Sequence, residues 1–278
     1  MRIRIMTDLH YTHHAHIAVR DSFYRAYLQK FFEDGPEADL YVSLGDLTQN
    51  GTESEYRSVY GMIDSFGRRA SFVHIPGNHD LLEANAAQTE SWAGTPPIRD
   101  GFGCIENDLA VLVFLNSCQA RKPHDWGGRL NDVQTELLRR KQAEANGRPL
   151  LVFAHHPLPN TTALSDVEMM RVEEAASLLA VMSEAPGPCL WFNGHNHIQS
   201  IVRKRQWTYV QTASAICLPC WREVAVTGGA VTVTTATVDD PAIRELAAQS
   251  LTGFGGFHRV PPAQAAGEDQ DRSAIIHL

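Results

Sequence analysis

Along the chain, short apolar runs alternate with longer stretches in which apolar positions recur at helical spacing. Residues 2–6 read as a first strand, 17–32 as a helix and 39–44 as a second, buried strand. Thr52 with Glu55 makes a capping box that opens a helix over 53–66. A third strand over 71–75 stops at Pro76-Gly77, after which Asp80 is placed to cap a helix with Glu83 in its first turn. Residues 109–115 form a strongly apolar strand. Asn131 with Gln134 opens a helix that runs to about residue 145 and ends at Gly147. Residues 150–154 are another strand, Ser165 and Glu168 lead into a helix over 166–183, and 190–192 run into Gly194. The βαβ rhythm predicts an α/β fold. After residue 197 the texture changes to antiparallel strands rich in Val and Thr at 198–203, 207–211, 221–226 and 230–238, with a hairpin turn at Gly228-Gly229. Residues 240–250 read as a last helix. From Pro261 the composition is Pro, Ala, Gly and charge, which predicts a loose tail.

The length, 278 residues, suits one large α/β domain or two small ones. With 24 basic against 32 acidic residues the formal charge is −8, and the longest basic run is Arg203-Lys204-Arg205. That excludes a protein whose affinity rests on wrapping a nucleic-acid backbone. It leaves room for a small anionic substrate, because a bound metal reverses the field inside a cleft. The first residues carry no apolar stretch of the secretory type, and no window approaches the roughly 20 apolar residues of a membrane span, so no membrane association is expected. Five cysteines form no disulfide-scaffold pattern, and the expected compartment is the cytoplasm.

The thirteen histidines change the picture through their placement. Five short segments each follow a predicted strand: Asp8-Leu9-His10, Gly45-Asp46, Gly77-Asn78-His79-Asp80, His155-His156-Pro157 and Gly194-His195-Asn196-His197. Strand C-termini are where open α/β folds place ligands. Asp, Asn and His are donors that suit Mn, Fe or Zn. In extended chain, alternate side chains share a face, so Asp8 and His10 are expected to reach one ion together, and so are His195 and His197 unless a bend sends them to different ions. Gly45, Gly77 and Gly194 are expected to supply backbone freedom where the chain turns around the site. Alone, each residue has an ordinary explanation: a Gly-Asp turn, a helix cap at Asp80, a hydrogen-bonded core histidine. Together they do not, since clustered buried carboxylates and imidazoles are heavily penalised without a cation. His74 reads as core, His13, His14 and His16 as a polar rim, and Cys217-Leu218-Pro219-Cys220 as a tight turn or a redox pair without a second pair to complete a zinc site.

These five blocks, in this order, resemble the calcineurin-like metallophosphoesterase superfamily, whose pattern is D-x-H, GD, GN-H-D/E, H and GH-x-H. The resemblance runs from Asp8 to His197. Gly127-Gly128-Arg129-Leu130 with Gln134 and Leu137, and the segment at His155-His156-Pro157, are similar to the bacterial cyclic-nucleotide and glycerophosphodiester phosphodiesterase branch. The resemblance implies a four-layer α/β/β/α sandwich of two mixed sheets, with the strands after Ile198 completing the second sheet. It implies a catalytic domain over 1–240, an extension over 241–260 serving as a cap or a homo-oligomer contact, and a flexible tail over 261–278. It assigns two divalent metal ions: Asp8, His10 and His197 on the first, Asn78, His155 and His195 on the second, and Asp46 bridging both. A metal-bound hydroxide would attack the phosphate. His79 is the expected catalytic group, contacting the phosphate or protonating the leaving alkoxide, with Asp80 orienting it. Asn78, His79 and His156 are the expected substrate contacts, His156 being otherwise a pocket wall.

With a hydroxide the site would carry about +1, complementary to a phosphodiester monoanion. The expected substrate is therefore a small phosphodiester of the cyclic-nucleotide or glycerophosphodiester type. Alternatives are a phosphomonoesterase on the same scaffold, a nuclease, disfavoured by the acidic chain, and a non-catalytic scaffold, disfavoured because no ligand position is substituted. Substrate choice is expected to lie with the walls at residues 13–16, 91–99 and 118–126 and with the segment after Pro157.

Overall fold

A computed structural model describes residues 1–13, 18–93, 98–99, 101–120 and 124–278. Two six-stranded sheets stack face to face, each covered by helices on its outer side. The first contains β1 (Arg2–Met6), β2 (Leu40–Ser43), β3 (Phe72–His74), β10 (Cys220–Val226), β11 (Ala230–Thr237) and β12 (Ser273–His277), in the order β12-β11-β10-β1-β2-β3. The second contains β4 (Gly103–Glu106), β5 (Val111–Phe114), β6 (Leu150–Phe153), β7 (Cys189–Asn193), β8 (Ser200–Lys204) and β9 (Trp207–Gln211), in the order β4-β5-β6-β7-β9-β8. Both sheets are mixed: β1-β2-β3 and β5-β6-β7-β9 run parallel, and β10, β11, β12, β4 and β8 pair antiparallel. This is the four-layer sandwich that the sequence motifs implied.

Strand periodicity decides which side chains meet between the sheets. Ile3, Ile5, Val42, Leu44 and Val73 of the first sheet pack on Leu112, Phe114, Leu151, Phe153 and Phe192 of the second. The rings of Phe114, Phe153 and Phe192 stack across three parallel strands with centroids 4.9 and 5.2 Å apart. The opposite faces bury against helices. Those on the first sheet are α1 (Ala18–Glu33), α2 (Glu53–Ser65) and α6 (Pro241–Ser250); those on the second are α4 (Asp132–Glu144) and α5 (Ala176–Ser183). A short α3 (Ala86–Ala93) packs on α2, and a single-turn α7 (Pro262–Ala265) is tied to the start of β8, where Gln199 N donates to Ala265 O. The capping box of Thr52 and Glu55 forms as predicted, and the Asn131 side chain accepts from the Gln134 amide at the start of α4.

Four expectations are corrected. The strands after residue 197 do not all join the second sheet: β8 and β9 do, β9 parallel to β7, whereas β10 and β11 pair into the first. The helix expected over 166–183 is confined to α5. The stretch before it runs through turns, with Val167 N donating to Leu164 O and Met170 N to Val167 O, and then bridges to residue 128: Val172 N donates to Pro157 O, Gly128 N to Arg171 O and Glu173 N to Gly128 O. Asp80 caps no helix. It sits in a single 3-10 turn, fully buried, and accepts from the amides of Leu47, Thr48 and Gly77 and from the Thr48 hydroxyl. Residues 261–278, read as a tail, are ordered: Ala274 and Ile276 alternate inward in β12, which pairs with β11. Among the described residues no helix is long and apolar enough to cross a membrane.

Candidate metal centre

Every segment singled out in the sequence leaves a strand at the same edge of the sandwich: Asp8 after β1, Asp46 after β2, Asn78 and His79 after β3, His155 and His156 after β6, His195 and His197 after β7. The strand ladders continue into the site. Asp8 N donates to Gly45 O at 3.0 Å, His10 N to Asp46 O at 2.9 Å and Gly194 N to His155 O at 3.0 Å, so neighbouring loops are tied within each sheet, and His195 N joins the two sheets by donating to Asp8 Oδ2 at 3.1 Å.

The backbone reason for the spacing differs from the expected one. Asp8, His10, Asp46, His195 and His197 all adopt φ between 48° and 69°, in the left-handed region, rather than the extended conformation. Non-glycine residues there cost of order 1–3 kcal/mol each, a strain that persists only where the surroundings over-determine it. The flanking glycines serve two different needs. Gly45 has φ 103°, which only glycine adopts freely. Gly77 and Gly194 are needed for room: a Cβ on Gly77 would lie 2.1 Å from Asp46 Oδ1, and one on Gly194 2.0 Å from Thr7 Oγ1 and 2.5 Å from Asp8 Oδ2.

The donors converge. Asp8 Oδ1 lies 3.2 Å from His197 Nε2 and 3.9 Å from His10 Nε2. Asp46 Oδ2 lies 3.8 Å from His10 Nε2 and 3.4 Å from His155 Nε2, so one oxygen faces both groups of ligands. His155 Nε2 is 3.1 Å from Asn78 Oδ1 and 3.2 Å from His195 Nδ1. All seven side chains are buried except Asn78, which is half-buried.

Each imidazole spends its other nitrogen on an acceptor, which fixes its tautomer. His155 Nδ1 donates to Leu44 O at 2.8 Å, His195 Nε2 to Met169 O at 3.1 Å, His197 Nδ1 to His258 O at 2.5 Å and His10 Nδ1 to Gln49 Oε1 at 2.8 Å. The remaining nitrogens turn their lone pairs inward, and His10 Nε2 is buried without a hydrogen-bond partner. Two carboxylates, one amide oxygen and four imidazole lone pairs turned on a common centre suit a divalent transition-metal ion.

The electrostatics agree. Burial alone would push the Asp8 carboxyl up, but His197 beside it holds it at about 2. Burial likewise opposes charge on His155 and His197, yet Asp46 raises the first to about 9 and Asp8 raises the second to about 10. Burial and the neighbouring His79 push His10 down to about 3. The protons on His155 and His197 balance the two carboxylates, and divalent cations would take their place.

His79 is half-buried. Its amide donates to Asp46 Oδ1 at 2.7 Å and its Nδ1 to Gln49 O at 2.8 Å, leaving Nε2 as the uncommitted nitrogen. Asp80 makes no hydrogen bond to His79; it ties the loops beneath it. His156, expected as a substrate contact, is fully buried with both nitrogens committed: Nδ1 to Ser117 Oγ at 2.9 Å and Nε2 to Trp126 O at 2.9 Å. It braces the wall from behind, with no free nitrogen for a ligand. His74 is a buried residue bonded to Tyr56 and Ser43.

A pocket of about 390 Å3 opens above these donors. Its floor is His10, Asp46, Asn78, His79, His195 and His197, and its walls are Leu82, Trp126, Met170, Gly256, Phe257 and His258. The wall was largely missed in the sequence. Trp126 and Met170 fall within or near segments expected to form it; Phe257 and His258 fall in the 241–260 extension, expected as a cap or an oligomer contact but not named as wall. Their one signal is Gly253-Phe254-Gly255-Gly256-Phe257-His258, two aromatics and a histidine in a glycine-rich stretch. Gln49 and the Met169 carbonyl, which orient ligands, carry no sequence signal. His14 and His16 and residues 94–97 and 121–123 of the expected walls lie outside the described residues.

Comparison with known proteins agrees with this geometry. A family model described as calcineurin-like phosphoesterase matches residues 1–199, which include every donor named above. The 3′,5′-cyclic adenosine monophosphate phosphodiesterase CpdA of Escherichia coli K12 is 34% identical over 203 residues, 70% of this chain and 70% of that protein. The glycerophosphodiester phosphodiesterase GpdQ of Enterobacter lignolyticus is 27% identical over 174 residues, 61% of this chain and 60% of that one. Among solved structures, a dimetal phosphatase from Danio rerio superposes with a TM-score of 0.67 at 14% identity, covering 85% of this chain and 96% of that one, a likeness of fold.

Proposed function

Since the chain belongs to the calcineurin-like phosphoesterase family, and so is a metal-dependent phosphoric ester hydrolase, we propose that it binds two divalent ions and hydrolyses small phosphodiesters. Asp8, His10 and His197 would hold one ion, Asn78, His155 and His195 the other, and Asp46 both, its Oδ2 facing His10 and His155 alike. Mn, Fe and Zn all suit this donor set. Bound ions of this kind supply Lewis acidity toward the phosphate and water of lowered pKa near neutral pH.

The observation that carries the diester reading is the lining of the pocket. Among the described residues it holds no lysine or arginine. Two divalent ions and two carboxylates leave the floor at about +2, which a phosphodiester monoanion and a hydroxide neutralise; a monoester dianion would overshoot unless His79 is charged, and no lysine or arginine of the lining stands ready to balance it. The volume fits a small molecule. Leu82, Trp126, Met170 and Phe257 favour a flat or apolar substituent on the phosphate over bare glycerol hydroxyls, so of the diesters named in its relatives the cyclic-nucleotide type fits better. His79, with Nδ1 committed to Gln49 O, would carry a proton on Nε2 to the leaving oxygen. The five cysteines, all free, suit a reducing compartment such as the cytoplasm.

The test is a rate comparison on a model diester and a model monoester, with elemental analysis of the same preparation. Two metal equivalents and faster turnover of the diester are expected. Faster turnover of the monoester would make the chain a phosphomonoesterase on the same scaffold.

A further inference from the structure

The two groups of ligands are braced by different parts of the chain. His155 leans on Leu44 O, at the end of β2, and His195 on Met169 O, in the loop paired with residue 128. Both braces belong to the stretch that the family model spans. His197 leans directly on a segment beyond that stretch, and His10 is backed by the same segment through Gln49. His197 Nδ1 donates to the carbonyl of His258 at 2.5 Å. His10 Nδ1 donates to Gln49 Oε1 at 2.8 Å, and the Gln49 amide donates in turn to Gly255 O at 3.4 Å. The ring of Phe257 lies against both histidines, with centroids 4.6 Å from His10 and 5.0 Å from His197. The segment is anchored behind by Phe254, whose ring packs edge-on against Phe257 at 5.2 Å and lies under the Arg20 guanidinium at 4.6 Å. Arg20 Nε also bonds Ser250 O at the end of α6.

We propose that residues 254–258 form a strap that positions His10 and His197, so that the half-site of Asp8, His10 and His197 binds its metal only as tightly as the strap allows, while the half-site of Asn78, His155 and His195 does not depend on it. The proposal rests on the dinuclear reading above. Gln49, Phe257 and the His258 carbonyl are positioning groups: they touch ligands rather than metal or substrate. A metal-ligating imidazole whose outer partner is lost costs the site about 10- to 100-fold in affinity. Here two of the three ligands of one half-site share one such partner segment, so the strap makes the two affinities unequal in their response to change. The strap also closes one side of the pocket through Gly256, Phe257 and His258, so the element that tunes metal affinity is also a wall that substrate meets.

Calorimetric titration of the metal-free full chain with Mn2+ tests this. The wild type should show two sites. Phe257→Ala and Gln49→Leu should each weaken one site about 10- to 100-fold and leave the other unchanged. Gln49→Glu, which keeps an acceptor for His10 Nδ1, should recover most of the loss seen with Gln49→Leu. Leu138→Ala, in the core beneath α4, should lower thermal stability and change neither affinity, which separates positioning from loss of fold. Variants at Gln49 and Phe257 that keep both wild-type affinities, or lose both equally, would overturn the strap and leave the dinuclear reading standing. A wild-type chain that binds no Mn2+ would overturn both.

Discussion

The floor and the walls of the pocket are built on opposite plans. The floor comes from five loops that leave parallel strands of two sheets, with left-handed backbone at five donors and ladder hydrogen bonds running between loops. The walls come largely from irregular chain: Trp126 is 47% exposed, and Gly256, Phe257 and His258 follow α6, which packs on α1 at the outside of the first sheet. The floor can hold strain because a packed core stands behind it; Leu82, Trp126 and Met170 can vary more freely, whereas Phe257 and His258 also lie against the ligands His10 and His197. Chemistry is thereby separated from substrate choice on one side of the cavity and joined to it on the other.

Substitutions sharpen the contrast. Asp46→Ala should have the largest effect, abolishing metal occupancy and hydrolysis together; activity surviving without bound metal would break the metal reading at its centre. His79→Ala should leave the metal content intact and cut turnover by about 10²- to 10⁴-fold, the range for a lost general acid. If that change instead strips the metal, His79 is part of the scaffold of the floor. Trp126→Ala should raise KM for a base-bearing diester by roughly two- to tenfold, the equivalent of one aromatic contact, with kcat and metal content unchanged. A fall in metal content there would mean that wall and floor are not separable.

The smallest effect concerns pH. His155 and His197 are raised from 6.5 to about 9 and about 10, so the stability they lend the metal-free chain is full below pH 6.5 and is lost as pH rises through 9 to 10. Asp8, lowered from 3.8 to about 2, adds stability that is lost only as pH falls through that interval. The melting temperature of chelated protein should therefore drop between pH 7 and 10, whereas metal-loaded protein, whose cations replace those protons, should not follow it. Parallel curves for the two would place the raised pKa values elsewhere.

How much of this was legible in the sequence follows from the same division. The candidate donors were, because metal chemistry would restrict their types and the sheet restricts their places: Asp8, His10, Asp46, Asn78, His155, His195 and His197, which the fold brings together, could be named from motif and strand end. The α/β class was legible from alternating short apolar runs, and the sandwich only through the family resemblance that the motifs carry. What failed depended on long-range partners. Residues 166–175 carry a helical pattern, but Gly128 and Pro157 claim their backbone groups. Asp80 looks like a cap until the distant amides of Leu47 and Thr48 join that of Gly77 on its carboxylate. In residues 261–278 the polar composition averages out Ala274–Ile276, whose value as a strand exists only beside β11. Phe257 and His258 are meaningful only once folding has laid them on His10 and His197.

The strand order β12-β11-β10-β1-β2-β3 carries a consequence in time rather than space. A ribosome releases β1, β2 and β3 early and β10 to β12 last, so the first sheet waits with the edge of β1 open while every metal donor, through His197, is already outside. Pairing between β1 and β10 joins segments far apart in the chain, the kind of contact that forms slowly. A nascent chain stopped shortly after residue 199 would hold every candidate donor but only β1 to β3 of the first sheet and β4 to β7 of the second: able to meet metal, unable to shelter it. Activity would thus be deferred until synthesis has passed strands that contribute no ligand at all.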